Sequence, residues 1–271
     1  RKRVIKGEKM HGGPWMMGTY ALVFNQDLIQ DRELLFFDEE LDFTNLDSAV
    51  KALTFKKKEG KKEKQYYGFC SYSMPNSRPL LSMIYGDGGR IIDEKAYNYL
   101  IRWQQRFGTI PQGMIEFSYD DAWKLFGQQG RVGIMLGSSK VIYQMRKLQQ
   151  SGKGFDILVR QVPLEGRKGL FSDQVASFGI LKSDNNYKQE LCVSFLKGLL
   201  DDEAQSELKH IGAFSIKTGV GPLYAEDPEM YILEDSLSNY YYGPNDSRWL
   251  KYGESIYDEI KQKLGDVSVD S

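Results

Sequence analysis

The sequence predicts a layered α/β protein, on three observations. Short β-branched and aromatic runs such as Thr19-Tyr-Ala-Leu-Val-Phe24 recur along the chain. Stretches with helical spacing of apolar residues alternate with them, the pattern of helices laid on a sheet. At 271 residues, 41% hydrophobic and 13% aromatic, the chain is long and apolar enough for one large or two modest cores.

In chain order, 19–24 reads as a buried strand and Asn25-Gln-Asp-Leu28 as a turn. A helix is expected from Asn45, with Leu46, Val50 and Leu53 on one face. The charged run Lys56 to Lys64, broken only by Gly60, reads as a solvated loop: it contains no aromatic residue of the kind that accompanies nucleic-acid binding. Tyr67 to Tyr72 is a strand, and Pro75 to Pro79 a loop entering a helix that ends at Asp87-Gly-Gly89. Asp93 caps a helix whose stripe is Ala96, Tyr99, Leu100, Trp103 and Phe107, which assigns Trp103 and Phe107 to the core. Asp120–Phe126 reads as a short helix. Arg131–Leu136 is a strand running into Gly137-Ser-Ser139, with a helix beyond. Phe155–Val159 and Ala176–Leu181 are strands, and Pro163–Gly169 is a connector. A long helix puts Cys192, Phe195, Leu196, Leu199 and Leu200 on its core face, and a short one starts at Asp201 with acidic residues at its N-terminus. The last helix carries Trp249, Tyr252, Ile256, Ile260 and Leu264.

Charge and motif content narrow the function. The 36 basic and 37 acidic residues nearly cancel, so no overall field favours nucleic acid or an anionic membrane. No apolar run approaches the roughly 20 residues that span a bilayer, and Arg1–Met10 is basic without the apolar core of a signal peptide. Two cysteines, Cys70 and Cys192, are too few for a disulfide scaffold and read as buried free thiols. His11 and His210 stand outside any HExxH pattern, and no CxxC, Walker A, GxGxxG or GxSxG motif occurs. No metal or cofactor is expected. The doublets Glu39-Glu40 and Asp120-Asp121 read as surface charge, because adjacent side chains diverge on a helix or strand.

Five separated segments, in order, resemble the family 1 extracellular solute-binding proteins of bacterial ABC importers, the group that contains maltose-binding proteins. They are Thr19-Tyr-Ala-Leu-Val-Phe-Asn-Gln-Asp-Leu28; Tyr85-Gly-Asp-Gly-Gly89; Phe126-Gly-Gln-Gln-Gly-Arg-Val-Gly-Ile-Met-Leu-Gly137; Phe178-Gly-Ile-Leu-Lys-Ser-Asp184; and Phe195-Leu-Lys197 with Asp202-Glu-Ala-Gln205 and Gly212-Ala-Phe214. The match spans residues 15–215. The resemblance implies a two-lobed periplasmic-binding-protein-like (type II) α/β fold with ligand held in the cleft. It places 1–19 at the end of the first lobe and the first hinge, 20–173 in the second lobe, and 174–177 in the second hinge. Residues 178–222 would return to the first lobe, and 223–271 would close the second. Most of the first lobe would then lie upstream of Arg1, leaving it incomplete in this chain.

The same resemblance implies the site. Trp15, Met17 and Gly18 fall at the first hinge, where the family often presents an acidic or polar residue. Asn76, Ser77 and Arg78 fall in a strand-to-helix loop facing the cleft. Ser138 and Ser139 follow Gly137, where sugar binders often carry tryptophan. Trp249 is the stacking residue of the closing segment, and Tyr240 to Tyr242 either rim the cleft or form a surface turn. Aromatic faces would cover the apolar C–H patches of a sugar ring, and planar polar groups would bind its hydroxyls. The Arg78 guanidinium suits hydroxyl pairs. The implied protein is a non-enzymatic, monomeric binding subunit that passes a carbohydrate to a membrane permease, extracellular as a lipoprotein or periplasmic. A sensor domain of the same fold and a two-carboxylate carbohydrate-active enzyme are the alternatives.

Overall fold

A computed structural model describes residues 5–6, 9–10, 13–34, 41–73, 78–85, 93–166, 169–172, 174–181, 184–242, 255, 258 and 260–262. In chain order, its strands and helices begin with β1 (Ile5–Lys6), β2 (Lys9–Met10), β3 (Gly13–Met17), β4 (Tyr20–Asn25), α1 (Gln26–Asp31) and α2 (Phe43–Ala52). They continue through β5 (Phe55–Glu59), β6 (Lys62–Cys70), α3 (Pro79–Ile84), α4 (Glu94–Gln105), α5 (Tyr119–Trp123), β7 (Val132–Ser138) and α6 (Ser139–Gln150). The remainder is β8 (Ile157–Arg160), β9 (Leu170–Ser172), β10 (Val175–Phe178), α7 (Asn186–Gly198), α8 (Asp202–Ser206), α9 (Pro228–Asp235) and β11 (Tyr240–Tyr242).

The main sheet has five strands in the order β5-β6-β7-β4-β8. Only β6 and β7 run parallel; the other neighbours are antiparallel. Every residue of β4 and of β7 is buried. Burial of successive residues means that both faces of these strands are covered, and helices α2, α3, α6 and α9 pack against the sheet. Local signals start the helices, at Asp93 as the sequence predicts. Asp93 accepts from the Ala96 amide at the head of α4, and Asp42 and Asn185 act likewise for α2 and α7. The Asp120-Asp121 doublet is exposed, and Asp121 closes a reciprocal capping box with Ser118.

Five expectations need correction. The turn expected over 25–28 opens α1, with the Asn25 side chain accepting from the Leu28 amide. The lysine-rich run is not a loop: β5 and β6 form an antiparallel hairpin through it. Phe55 stacks on its cross-strand partner Tyr66 at 4.7 Å, and the Tyr66 hydroxyl donates to Glu59 at 2.6 Å. Cross-strand charge pairs and a two-residue turn with Gly60 at φ +61° complete it. Trp103 is buried as predicted, its indole N–H donating to Asp47 at 2.8 Å. Phe107, however, is 58% exposed, because α4 stops at Gln105 and Arg106 is extended, so the helical stripe ends before reaching it. Cys70 lies buried on β6, whereas Cys192 is exposed. The long helix α7 buries none of its residues, so its apolar side meets no core among the described residues. Lastly, the strand expected over 176–181 ends at Phe178.

Candidate functional site

The sheet brings three chain segments to one end. β7 runs out at Ser138, and α6 starts at the next residue. Antiparallel β4 begins there, with Tyr20 directly across from Ser138. The segment after β6 arrives at the same end, because β6 runs parallel to β7. Its Tyr72 hydroxyl accepts from the Ser138 amide at 3.3 Å and lies 3.3 Å from the Ser138 hydroxyl. The Tyr72 ring meets Tyr119 edge-on at 5.1 Å. Burial pushes the Tyr119 phenol well above its ordinary pKa, with smaller contributions from Tyr72 and Asp120. The Tyr119 ring therefore acts as a neutral group.

Tyr20 is the junction. Its ring is fully buried, and its hydroxyl accepts from the Arg78 amide at 3.1 Å and from the Gln174 side-chain amide at 2.8 Å. Its own carbonyl accepts from the Tyr240 hydroxyl at 2.7 Å. One phenol thus joins the loop before α3, the start of β4 and the segment before β10. The Gly18 amide donates to the Gln174 carbonyl at 2.7 Å, and the Ser172 hydroxyl donates to the Gly18 carbonyl at 3.2 Å. A Cβ on residue 18 would come within 3.2 Å of Gln174 Cβ, so Gln174 fills the space that an acidic side chain at 18 would occupy.

Two strands leave this junction side by side. β3 and β10 pair antiparallel, with Met17 opposite Val175. A third segment joins them, since Met17 and Phe214 exchange backbone hydrogen bonds of 3.0 and 2.9 Å. From α6, the Ser139 hydroxyl donates to the Gly212 carbonyl at 2.7 Å and the Tyr143 hydroxyl donates to the His210 carbonyl at 2.6 Å.

Among the expected site residues, Arg78, Ser138 and Gly18 come together around Tyr20. Ser139 is adjacent, but its proton is committed to Gly212. Met17 lies on β3, partly buried against the core. Trp15 lies two residues earlier on β3, partly exposed, with its ring 5.4 Å from that of Phe178. Asn76, Ser77 and Trp249 lie outside the described residues. Tyr240 is buried in β11, which pairs with β9. Among the described residues, no group of three or more His, Cys, Asp or Glu side chains could hold a metal ion.

No protein-family model matches the chain, and no curated protein matches its sequence. Solved structures match its shape. A solute-binding protein of an ABC transporter from Thermotoga lettingae TMO, bound with α-D-tagatose, is 15% identical with a TM-score of 0.76; the match covers 98% of this chain and 70% of that one. Maltose-bound MalE3 of T. maritima is 15% identical with a TM-score of 0.73, over the same shares. An ABC substrate-binding protein of Listeria monocytogenes in complex with cycloalternan is 15% identical, with a TM-score of 0.70 over 98% of this chain and 69% of that one. The chain has the fold of the sugar-binding proteins of ABC transporters. In this binding-protein fold, Tyr20, Tyr72 and Gln174 are the polar groups that sequence reading left out. Their signal was weak but present: tyrosines bounding buried strands must find partners for their hydroxyls.

Proposed function

We propose that this chain is the ligand-capturing subunit of an ABC importer and that it holds a carbohydrate between two lobes. The observation that carries this reading is the Tyr20 junction, which ties a strand-to-helix loop, the end of β7 and the paired segments β3 and β10 to one point. Lobe closure about such a point would bring Arg78 and the Ser138 end toward the aromatic pair Trp15–Phe178. The guanidinium would bind hydroxyl pairs, and the rings would cover apolar sugar faces. Asn76, Ser77 and Trp249 join the site on the strength of the sequence resemblance, and Ser139 supports it from behind. The lobe boundaries of this reading are 20–173 and 223–271 for the second lobe and 178–222 for the first. An extracellular or periplasmic location, a monomeric state, delivery to a membrane permease and the absence of catalysis belong to the same reading.

A thermal-shift screen tests it directly. A ligand bound only by the folded chain at 100 times its Kd stabilises by about 2.7 kcal/mol. Maltose, maltotriose, tagatose and cyclic glucans are the first panel, with amino acids as the contrast. A sugar should raise the Tm, and Arg78→Ala should cancel that rise while leaving the ligand-free Tm close to unchanged. Stabilisation by amino acids alone would overturn the carbohydrate assignment.

A further inference from the structure

The β5–β6 hairpin has no part in the proposed cleft, and its chemistry points elsewhere. Residues 56–64 hold six lysines against Glu59 and Glu63. β6 first pairs with β7 at Tyr67, Gln65 is tied to Arg131 and Gly108, and Tyr66 is buried, so 62–64 extend past the sheet by roughly 10 Å at the usual strand rise. The overhang lies beyond the N-terminal end of β7, opposite to the end where Ser138 meets Tyr20. Lys56, Lys57 and Lys64 are held by Glu63, Asp31 and Glu59. Lys58, Lys61 and Lys62, at and beside the turn, are exposed and make no ion pair among the described residues. Phe107 lies at the foot of the ribbon, 58% exposed, with the Lys56 ammonium 5.6 Å from its ring centre. Exposed Arg106 precedes it.

Lysines on an edge strand discourage pairing with other strands. That role accounts for one or two charges on β5; it does not account for three unpaired lysines around the turn, or for a large exposed ring beside the ribbon. We propose that this ribbon docks on an anionic phospholipid surface. The charge complementarity is with closely spaced headgroup phosphates. With the ribbon lying along the surface, exposed Phe107 at its foot meets the same interfacial layer. Docking at this end leaves the opposite end of the sheet open.

The test is co-sedimentation of the 271-residue chain with vesicles of phosphatidylcholine alone or mixed with phosphatidylglycerol. Binding is expected only with the anionic mixture, and it should vanish between about 0.1 M and about 1 M salt as screening shortens. Replacing Lys58, Lys61 and Lys62 by glutamate should lower the partition coefficient at least about a hundredfold, since each lysine near such a surface contributes about a fivefold factor. Phe107→Ser should lower it about tenfold. Circular dichroism should show each variant folded as the parent. Absence of binding to the anionic vesicles, or binding unchanged by the triple replacement, overturns the proposal. Binding undiminished by Phe107→Ser, or fully displaced by glycerol phosphate, also overturns it, because the surface would then read free phosphate and not a bilayer.

Discussion

Strand β4 and helix α7 are built from similar residues and end in opposite environments. Tyr20-Ala-Leu-Val-Phe24 is fully buried between β7 and β8. Leu191-Cys-Val-Ser-Phe-Leu196 carries as many large apolar groups, yet Leu191, Val193 and Phe195 are 51%, 41% and 62% exposed. An apolar run specifies which surface seeks cover. Burial then depends on a complementary face, which β4 has on both sides and α7 lacks among the described residues.

Thiol chemistry should break the comparison open most widely. Cys192 sits on exposed α7, while Cys70 is enclosed and burial pushes its thiol pKa well up. In native buffer Cys192 should react promptly with a thiol reagent. Cys70 should react at least about a thousandfold more slowly, at the rate of global opening. Equal rates would mean that the β6 core opens locally.

Stability should follow the same line. Leu22→Ala removes a side chain buried in the central strand and should cost about 2–5 kcal/mol in denaturant unfolding. Leu191→Ala should stay within about 0.5 kcal/mol. Asp47→Ala falls between them. It leaves the buried indole N–H of Trp103 without its acceptor, a loss of about 1–3 kcal/mol, and also frees Lys51 from its ion pair. The smallest effect is expected at high pH. Burial, then the hydrogen bond to Glu59, pushes the Tyr66 phenol up to about 12. Its contribution is complete below the ordinary value near 10 and is lost as pH rises through about 12. Tyr66→Phe should remove that part of the alkaline loss.

The candidate site was legible in part. Gly18 and Ser138 were reachable because each adjoins a quoted segment at a strand end, and Arg78 because it precedes the proline that opens α3. The pairing of Tyr20 with Gln174 was not: Tyr20 stands in the first family-like segment, but its hydrogen bond to Gln174 spans 154 positions. Gly18 shows the limit well. The family often presents an acidic or polar side chain there, whereas in this chain Gln174 lies against that position and presents its own amide to Tyr20.

By itself the sequence determined the local grammar. Asp93 starts α4, the 3.6-residue stripe buries Ala96 through Trp103, and the β-branched and aromatic runs form β4 and β7. Such features depend on neighbours within about one helical turn or along one strand, so periodicity and capping residues reveal them. Tertiary structure alone decided that the lysine run is a paired ribbon, that Phe107 leaves the stripe, that Cys192 faces solvent, and that Tyr20 joins three distant segments. Each of these outcomes turns on which surface meets another, and contacts between residues far apart in the chain are not written in any local pattern.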